Sequence, residues 1–471
     1  MKPSLSLFVV VVFSLIGNSS FAQPCKEVVG YYPGWQWYDR GQLVNPFTIN
    51  YSKYTILNYA FFNPNPDGTI TGLDPWADEN ILLGQINWST DPVSHYPNTG
   101  LIDRAHNEGV KVLISVGGWT LSTNFSAIAA DPVKRQQFAE DCAELVSYYN
   151  LDGIDIDWEY PGFAEHGGTP ADGANYILLL QEVRSKLDQL EVEMNEEYII
   201  TAALPAGISH MENIDWNGIV PLLDLLNIMT YDFNGTWNSE CNHNAPLYLP
   251  STSSPQFSCH DAITALINTY NVPAEKMVLG IPFYGRSMKT IGTPELFAPV
   301  QNGSADNSTF WADEGSPLYY NILLQQYLFT NHWDEISQVP YLTGNGMLNT
   351  FVSYDDVNSV ELKADYIIEH GLAGAIIWEI TGDYIETFPG SGVVDETPLA
   401  TALNNALCQN SICLGDFNND QLRNTSDLLI MIGYLGQNCG SPYCSGDLSG
   451  DAIVNVSDLL LMMSLFGTEC L

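Results

Sequence analysis

A ten-residue stretch near the middle of the chain, residues 151–160, reads Leu-Asp-Gly-Ile-Asp-Ile-Asp-Trp-Glu-Tyr. Its apolar residues alternate with Asp155, Asp157 and Glu159, which is the period of a β-strand with one apolar face. Three carboxyl groups therefore stand in a row on the other face, with about 6–7 Å between neighbouring Cα atoms. Because like charges at that spacing repel, we expect at least one of the three to keep its proton to high pH.

A carboxylic acid that stays protonated near neutral pH is what a glycosidase needs in order to protonate a leaving-group oxygen. Two plainer interpretations compete with a catalytic one. A solvated edge strand would leave the apolar face of Ile154, Ile156 and Trp158 without a use, and a metal-binding strand would lack any histidine in the stretch. We therefore interpret the three residues, called the carboxylate row below, as catalytic.

The same stretch carries a family resemblance. The pattern D-G-x-D-x-D-W-E, from Asp152 to Glu159, resembles the active-site signature of the family 18 glycoside hydrolases, the chitinases. Further segments, spread over about residues 26–390, resemble that family's strand-end motifs: Tyr31-Tyr32, residues 58–61, Ser115 to Gly118 (S-x-G-G), Met229 to Asp232 (M-x-Y-D), Gly280 to Arg286, and Trp378.

Short apolar runs alternate with segments of helical period from residue 28 to about 407, which indicates parallel strands joined by helices. The eight candidate strands are 28–32, 54–61, 110–115, 153–158, 198–203, 225–229, 277–281 and 373–378. We predict a (β/α)8 TIM barrel rather than a doubly wound sheet, because polar and aromatic residues recur at the carboxyl ends of so many strands. Two of the predicted helices are 132–149, with Asp131 as N-cap and Pro132 at its first position, and 175–196. The strand–helix spacing breaks over about residues 287–349, where we predict a small α+β insertion between strands 7 and 8, with elements at 319–329 and 333–340.

The chain of 471 residues is long enough for a large barrel and a smaller module. Residues 1–22 have the layout of a signal peptide, so we expect a secreted protein. Residues 23–407 are predicted to form the catalytic barrel with its insertion, and residues 408–471 a small helical module. No later segment is apolar for long enough to span a membrane.

The charge balance limits the possible partners. The chain has 55 acidic and 15 basic residues, a formal charge of −40. Such a charge argues against nucleic acid and anionic membrane surfaces, and it is compatible with a neutral polymer such as chitin or its oligosaccharides. We expect a monomer, and the scattered histidines give no reason to assign a catalytic metal or another catalytic cofactor.

The resemblance implies roles for the carboxylate row. Glu159 would act as general acid and then as general base, its pKa raised by Asp157 and enclosing aromatic rings. Asp157 lies close enough to suggest a carboxylate nucleophile. The family instead implies that the substrate's own N-acetyl oxygen attacks the anomeric carbon. Asp157 would then orient the acetamide, Tyr231 would hydrogen-bond its oxygen, and Asp155 would exchange a proton with Asp157.

Aromatic and polar residues at strand ends are candidates for binding the sugar. Trp378 is placed as the floor beneath it, and Trp119 on the product side, although loop packing would also explain Trp119. Asp232 and Arg286 either hydrogen-bond sugar hydroxyls or pair with each other. The remaining candidates line the same pocket: Tyr32, Phe61, Gly118, Tyr160, Met229 and Tyr284.

The C-terminal region repeats itself after 31 residues, as the step from Asp416 to Asp447 shows. Oxygen-bearing residues fall at positions 1, 3, 5 and 12 of two calcium-type loops. They are Asp416, Asn418, Asp420 and Asp427 in the first loop, and Asp447, Ser449, Asp451 and Asp458 in the second. The duplication resembles a dockerin module, which implies Ca²⁺ and a cohesin-like or cell-surface partner. Gln421 and Ala452 replace the usual glycine, and two acidic turns without metal are the alternative.

Nine cysteines follow the signal segment. We expect Cys142 to be a buried free thiol, consider a disulfide between Cys241 and Cys259, and leave the pairing of the five C-terminal cysteines open. The leading function is a chitinase that cuts β-1,4 bonds between N-acetylglucosamine units with retention of configuration. An endo-β-N-acetylglucosaminidase acting on N-glycans and a non-catalytic chitin-binding lectin are the alternatives. Glu159 argues against the lectin.

Overall fold

The computed structural model describes residues 25–249, 258–311, 315–408, 415–417, 422–437, 446–449 and 453–468. The chain divides into two compact units. The larger is Lys26–Leu407, and the smaller includes the C-terminal residues from Cys408 onward.

The larger unit is built on eight parallel strands, β1 to β8. In chain order they are Glu27–Pro33, Ile56–Pro64, Lys111–Gly117, Gly153–Asp157, Ile199–Pro205, Leu225–Met229, Met277–Pro282 and Gly374–Trp378. Each pairs with the next along the chain, and β1 pairs with both β8 and β2. The sheet therefore closes on itself, which excludes the doubly wound alternative and confirms the predicted (β/α)8 barrel.

Helices and short strands surround this barrel. Its α-helices are Pro75–Leu82, Leu101–Asn107, Phe125–Ala130, Pro132–Tyr149, Asp172–Met194, Ile208–Met211, Trp216–Ile219, Cys259–Asn268, Tyr319–Gln325, Val357–Glu369 and Pro398–Cys408. Its 3-10 helices are Gly34–Gly41, Tyr51–Lys53, Ser122–Asn124, Ala164–His166, Val220–Leu222, Ala274–Lys276, Gln326–Leu328 and Ile380–Asp383. Short strands are Ile70–Gly72, Ile86–Asn87, Ser94–His95, Ile385–Glu386 and Val394–Glu396.

Capping residues set the ends of the two longest helices. Asp131 accepts hydrogen bonds from the backbone N–H groups of Val133 and Lys134, and Pro132 follows it, as the sequence predicts. Asn150 and Asn195 end these helices in the left-handed conformation, with φ of 58° and 57°. The helix predicted at 175–196 therefore runs from Asp172 to Met194.

Side-chain alternation along the strands produces two packed layers. One set of residues fills the interior of the barrel, including Val29, Tyr31, Met229 and Ile376. The other set, including Val28 and Tyr32, packs outward against the helices. Successive residues of a strand face opposite sides, so a single step along β1 decides whether a tyrosine points to the interior or to the helical layer.

The insertion between β7 and β8 contains a four-stranded antiparallel sheet. Its strands are Arg286–Lys289, Phe329–Asp334, Val339–Gly344 and Thr350–Ser353, and the first pairs with the last. The segment predicted as one element, 333–340, is instead a tight connection between two strands. The carboxylate of Asp334 accepts hydrogen bonds from the backbone of Ile336 and Ser337 there, a local turn that ends the strand.

The smaller unit shows the repeat directly. Helices Thr425–Tyr434 and Val456–Leu465 begin with the same capping box, made by Asn424 with Asp427 and by Asn455 with Asp458. The repeats also exchange backbone hydrogen bonds in matching positions. The N–H of Gly436 donates to Val454, and the N–H of Gly467 donates to Arg423.

The cysteines of the larger unit are thiols. Cys142 is buried and free, as predicted. The suggested pairing of Cys241 with Cys259 is wrong, since both are free and lie in different apolar clusters. Cys241 packs beside Met288, whereas the thiol of Cys259 donates to the carbonyl of Thr230 at 3.5 Å. Among the helices in the described residues, none is both long and apolar enough to cross a bilayer.

Candidate active site

The carboxylate row begins with Asp155, deep in the barrel. Its Oδ2 accepts hydrogen bonds from Tyr31 at 2.9 Å and Ser115 at 2.6 Å. Its Oδ1 accepts from Thr201 at 2.5 Å and from the amide of Asn227 at 3.2 Å. Burial raises the pKa of Asp155, and these four donors pull it back down. The pKa of Asp155 stays above its usual value, because the effect of burial outweighs that of the four donors.

Asp157 stands one step nearer the mouth and lacks such support. It is 3% exposed, and its Oδ1 is a buried acceptor without a hydrogen-bond partner among the described residues. Burial and the charges of Glu159 and Asp155 raise its pKa well above the usual carboxyl range. Asp157 is thus a carboxyl group that is disposed to hold a proton and has one oxygen still to be satisfied.

Glu159 ends the row just beyond β4 and is partly exposed. Burial raises the pKa of Glu159 to about 7, the charge of Asp232 adds to that, and hydrogen bonds from Tyr160 and the Trp119 backbone oppose it. Asp232 is a contributor that the sequence did not predict. The predicted repulsion between Asp157 and Glu159 is also present, since the charge of Glu159 raises the pKa of Asp157 and such repulsion is mutual.

The main chain of Glu159 is held on both sides. Its N–H donates to Ser122 Oγ at 2.8 Å, and its carbonyl oxygen accepts from Nδ1 of His166 at 2.7 Å. Because a carbonyl can only accept, His166 carries its proton on Nδ1 in this contact. The peptide bonds Glu159-Tyr160, Ala60-Phe61 and Trp378-Glu379 are cis.

An aromatic floor lies beside the row. Trp378 stacks on Phe61 with ring centroids 5.5 Å apart, and Tyr31 meets Trp378 edge-on at 5.7 Å. Trp35, which is 49% exposed, extends the surface and lies 6.4 Å from Trp378. Gly118 has a φ of 89°, and a Cβ there would come within 2.5 Å of the Phe61 ring. The glycine is therefore required for this floor to form.

A second wall comes from the ends of β6 and β7. Asp232 forms a two-point ion pair with Arg286, with contacts of 2.8 and 2.6 Å, and also accepts from Tyr284 at 2.7 Å. Of the two roles considered for Asp232 and Arg286, pairing with each other is the one observed. Tyr231 packs edge-on against Tyr284, with ring centroids 6.2 Å apart. Met229 belongs to the apolar cluster inside the barrel.

The opposite side of the mouth is a cluster of rings around Trp119. The indole is 51% exposed and meets His166 at 4.5 Å and Tyr160 at 6.4 Å. Phe163 fills the space between them, and His210 lies against Tyr160 at 4.5 Å. Trp119 thus packs against neighbouring rings while about half of its surface stays exposed, so loop packing leaves room for contact with a sugar.

The barrel has eight strand ends around a stepped row of carboxyl groups. Comparison of this chain with known protein families, related proteins and solved structures agrees with that arrangement. The sequence pattern of the protein family "Glycosyl hydrolases family 18" matches residues 27–383. The chain belongs to family 18 of the glycosyl hydrolases. It is 34% identical over 440 residues to Chitinase A1 of Niallia circulans, a match covering 82% of this chain but 60% of that relative.

Other relatives agree with the family assignment. Endochitinase 1 of Metarhizium robertsii is 31% identical over 75% of this chain and 80% of its own length. The solved structure of chitinase ChiA74 from Bacillus thuringiensis has a TM-score of 0.69 at 32% identity, over 81% of this chain and 70% of that one. These matches confirm the predicted glycoside hydrolase of the chitinase type.

Within this family 18 site, one predicted binding residue is misplaced. Tyr32 is fully buried on the outer face of β1, packs against Tyr59 and donates to the carbonyl of Val44 at 2.9 Å. Its neighbour Tyr31 faces the interior and reaches Asp155. The dipeptide alone does not reveal which of two adjacent tyrosines points inward.

Several residues of the site escaped the sequence prediction. Thr201 and Asn227 support Asp155, and each is a polar residue inside an otherwise apolar strand run, which is a signal that could have been used. Trp35 and Trp237 carry no comparable signal. Trp237 is 58% exposed and lies beneath the guanidinium of Arg286, 5.1 Å from it, a contact made across 49 residues.

The predicted calcium ligands lie in the smaller unit, and Asn418, Asp420 and Asp451 fall outside the described residues. The carboxyl group of Asp427 accepts from the backbone of Phe417 and Asn424, at 2.7 and 2.9 Å. The other described ligands follow the same plan: Asp458 accepts from Ser449 and Asn455, both at 2.7 Å, and Ser449 Oγ lies 3.4 Å from Asp447.

Each position-12 carboxylate is thus folded back onto the start of its own loop, close to position 1. Within the described residues, no cluster of three or more histidine, cysteine or carboxylate side chains has metal-binding geometry.

Proposed function

We propose that this protein is a secreted chitinase that hydrolyses β-1,4 bonds between N-acetylglucosamine units with retention of configuration. The observation that carries the proposal is the stepped row. Glu159, with its pKa raised to about 7, lies beside Asp157, whose Oδ1 is buried and unpartnered among the described residues. One group can donate a proton to a leaving group, and the other can receive a substrate N–H.

In the first step Glu159 protonates the glycosidic oxygen while the bond from that oxygen to the anomeric carbon breaks. The acetamide oxygen of the same sugar forms a new bond to the anomeric carbon, giving an oxazolinium-like intermediate. In the second step Glu159 takes a proton from a water molecule, whose oxygen attacks the anomeric carbon and releases the acetamide. Two inversions leave the configuration unchanged.

The surroundings of Asp157 support the substrate as nucleophile. Asp157 is buried, and its raised pKa favours a neutral carboxyl group, which is a poor nucleophile. Its unpartnered oxygen is suited to accept the acetamide N–H, and Tyr231 is suited to donate to the acetamide oxygen. As positive charge develops on the ring formed, Asp157 can pass its proton to Asp155, which leaves the negative charge on Asp157 next to that ring.

The binding surfaces support a neutral, pyranose-based polymer. Trp378, Phe61 and Trp35 form one aromatic floor, and Trp119 offers another on the far side of Glu159. Aromatic faces bind the apolar faces of sugar rings without needing charge. The formal charge of −40 disfavours an anionic polysaccharide. The proposed reaction requires no cofactor.

The decisive experiment is digestion of chitin hexamer followed by NMR of the fresh products. We expect newly formed reducing ends to be β anomers and cellohexaose to remain intact, because only a 2-acetamido sugar supplies the nucleophile. Alpha anomers, or efficient cleavage of cellohexaose, would refute the mechanism. Recovery of exported protein beginning near residue 23 would test secretion and the removal of the predicted signal peptide.

We further propose that the C-terminal repeat binds calcium. The similarity of the two loops supports this, because Asp427 and Asp458 each accept a backbone hydrogen bond from the start of their own loop, at Phe417 and Ser449, and another from the helix-capping Asn424 and Asn455. Ca²⁺ would be held by the loop oxygens named above and would stabilise the module.

The module's partner is proposed to be a cohesin-like protein. Exposed apolar residues recur at equivalent positions of its two repeats. Such side chains indicate a surface that binds another protein, because a purely structural module has no need to expose them. Leu429, Ile432 and Leu435 are matched 31 residues later by Leu460, Met463 and Phe466. Titration of an isolated cohesin domain into the protein tests this. Leu429→Asp together with Leu460→Asp should abolish binding, and unchanged affinity would contradict the proposal.

A further inference from the structure

A cavity of about 620 Å³ lies at the back of the insertion, away from the carboxylate row. Strand Phe329–Asp334 and the two helices Tyr319–Gln325 and Val357–Glu369 border it, and it opens to solvent. Its volume is within the range of about 300–1,000 Å³ that is typical of sites for small ligands. We call it the insertion cavity. Its lining includes Tyr319, Trp333, Tyr354, Asn331, Asn358 and Glu361.

The insertion sheet separates this cavity from the catalytic mouth. Arg286 pairs with Ser353, Ser353 with Tyr341, and Tyr341 with His332, so these four residues form one row across the sheet. Side chains in such a row share a face. Arg286 contacts Asp232, which places that face toward the catalytic site.

The neighbours of His332 point the other way. Asn331 and Trp333 precede and follow it in the strand, so their side chains lie on the opposite face, and both line the insertion cavity. His332 also borders the cavity, but no lining residue belongs to the carboxylate row, the aromatic floor or the Asp232–Arg286 pair, so the cavity is a site distinct from the groove that contains Glu159.

Its lining has the composition of a sugar-binding surface. Trp333 is half-buried and supplies the accessible ring, whereas Tyr319 and Tyr354, each 5% exposed, stack on each other behind it with centroids 6.5 Å apart. Around these rings are the amides of Asn331 and Asn358 and the carboxylate of Glu361. Aromatic faces suit the apolar side of a pyranose ring, and amides and carboxylates suit its hydroxyl groups, which both donate and accept.

The charge and polarity narrow the choice of ligand. Glu361 and Asp356 border the cavity without a neighbouring lysine or arginine among its lining residues, which disfavours phosphate, sulfate and acidic sugars. A purely apolar ligand would leave the amides without partners, which costs free energy. A neutral polyhydroxylated ring satisfies both conditions.

We propose that the insertion cavity is a second saccharide-binding site that takes a short, neutral sugar of one or two pyranose rings. The choice of N-acetylglucosamine disaccharide as its ligand rests on the proposed function, since that sugar is a product of chitin cleavage. Binding itself needs no catalysis, because none of the lining residues belongs to the carboxylate row.

The experiment titrates N,N′-diacetylchitobiose into the Glu159→Gln protein by isothermal calorimetry. We expect two binding events per chain, one at the catalytic groove and one at the cavity. Adding Trp333→Ala should leave one event. Tyr327→Ala is the matched control, because Tyr327 is 77% exposed on the adjoining 3-10 helix but does not line the cavity, and it should retain both.

A second variant tests the same site in case Trp333→Ala does not fold. Asn358 is exposed at the rim, so Asn358→Trp should fill the cavity and remove the same event without removing core contacts. Two events in both cavity variants, or one event in the starting protein, would overturn the proposal. If the wild-type protein failed to cleave chitin hexamer while Trp333-dependent binding persisted, the proposed function would fail and the second site would stand.

Discussion

The hydroxyl group of Tyr31 donates a hydrogen bond to Asp155 Oδ2 at 2.9 Å, across the interior of the barrel. The two residues are 124 positions apart in the chain. Tyr31 also accepts from the amide of Asn227 at 3.2 Å, so it links the first, fourth and sixth strands in one network. This network fixes the deepest member of the carboxylate row, on which the proton balance of Asp157 depends.

Replacing Tyr31 by phenylalanine tests this link. Tyr31→Phe keeps the ring but removes a hydrogen bond to a carboxylate worth ~1.5–3 kcal/mol. We expect kcat to fall about tenfold or more, since each ~1.4 kcal/mol of lost transition-state stabilisation is a factor of ten. The matched variant Tyr32→Phe should keep kcat and lose only stability, about 1–3 kcal/mol in urea unfolding, because its hydroxyl bonds only the Val44 carbonyl. Equal kcat losses in the two variants would contradict the assignment of inner and outer faces.

Replacing Glu159 by glutamine tests the proton donor. Glu159→Gln preserves size and polarity but cannot transfer a proton, so we expect kcat on chitin hexamer to fall by about 10²–10⁴-fold with binding retained. The control is Glu165→Gln, an exposed glutamate six residues away, which should leave activity unchanged. Release of reducing ends at the parent rate by Glu159→Gln would end the proposed mechanism.

The raised pKa of Glu159 predicts the alkaline limb of the pH profile. An acid with a pKa of about 7 is protonated below that pH, so kcat/KM should be full there and decline as the pH rises through about 7. Asp232→Asn removes a negative charge that raises the pKa of Glu159, so the limb should move to lower pH. Glu212→Gln, which changes an exposed charge outside the site, should not move it. A shift of the Asp232→Asn limb to higher pH would show that another group controls it.

A methyl group at position 118 should disturb the aromatic floor. Gly118→Ala combines an unfavourable positive φ, costing about 1–3 kcal/mol, with a clash against Phe61. We expect lower stability and a kcat/KM reduced about tenfold, as Phe61 moves off Trp378. Gly390→Ala has a similar φ of 78° but open space around it, so it should lose stability without losing kcat/KM. Normal kcat/KM in Gly118→Ala would mean that the stack is not needed for binding.

Calcium removal should act on the C-terminal module. In differential scanning calorimetry we expect excess chelator to lower a transition that belongs to this module, because a ligand at 100 times its Kd stabilises by ~2.7 kcal/mol. Asp427→Ala with Asp458→Ala should reproduce the loss in the presence of Ca²⁺. The transition of the Lys26–Leu407 unit should not change. A melting curve insensitive to both treatments would favour acidic turns without metal.

The course of the strands and the carboxylate row could be predicted because their information is local. Period-two alternation marks Ile154 and Ile156 against Asp155 and Asp157 within a few residues, and the Asp131-Pro132 pair marks a helix start. The two tyrosines of β1 show where local information ends. Both are aromatic and adjacent, and only closure of the barrel decides that Tyr31 meets Asp155 and Tyr32 meets Val44.

The sequence by itself determined the order of strands and helices, the three carboxyl groups on one strand face and the duplicated C-terminal loops, since periodicity and short spacings are encoded along the chain. The tertiary structure decided which donors reach Asp155, that the charge of Asp232 adds to the raised pKa of Glu159, and that Asn331 and Trp333 line a cavity behind the insertion sheet. These properties depend on burial and on distances between residues far apart in the chain, which arise only when the barrel closes and the insertion sheet pairs.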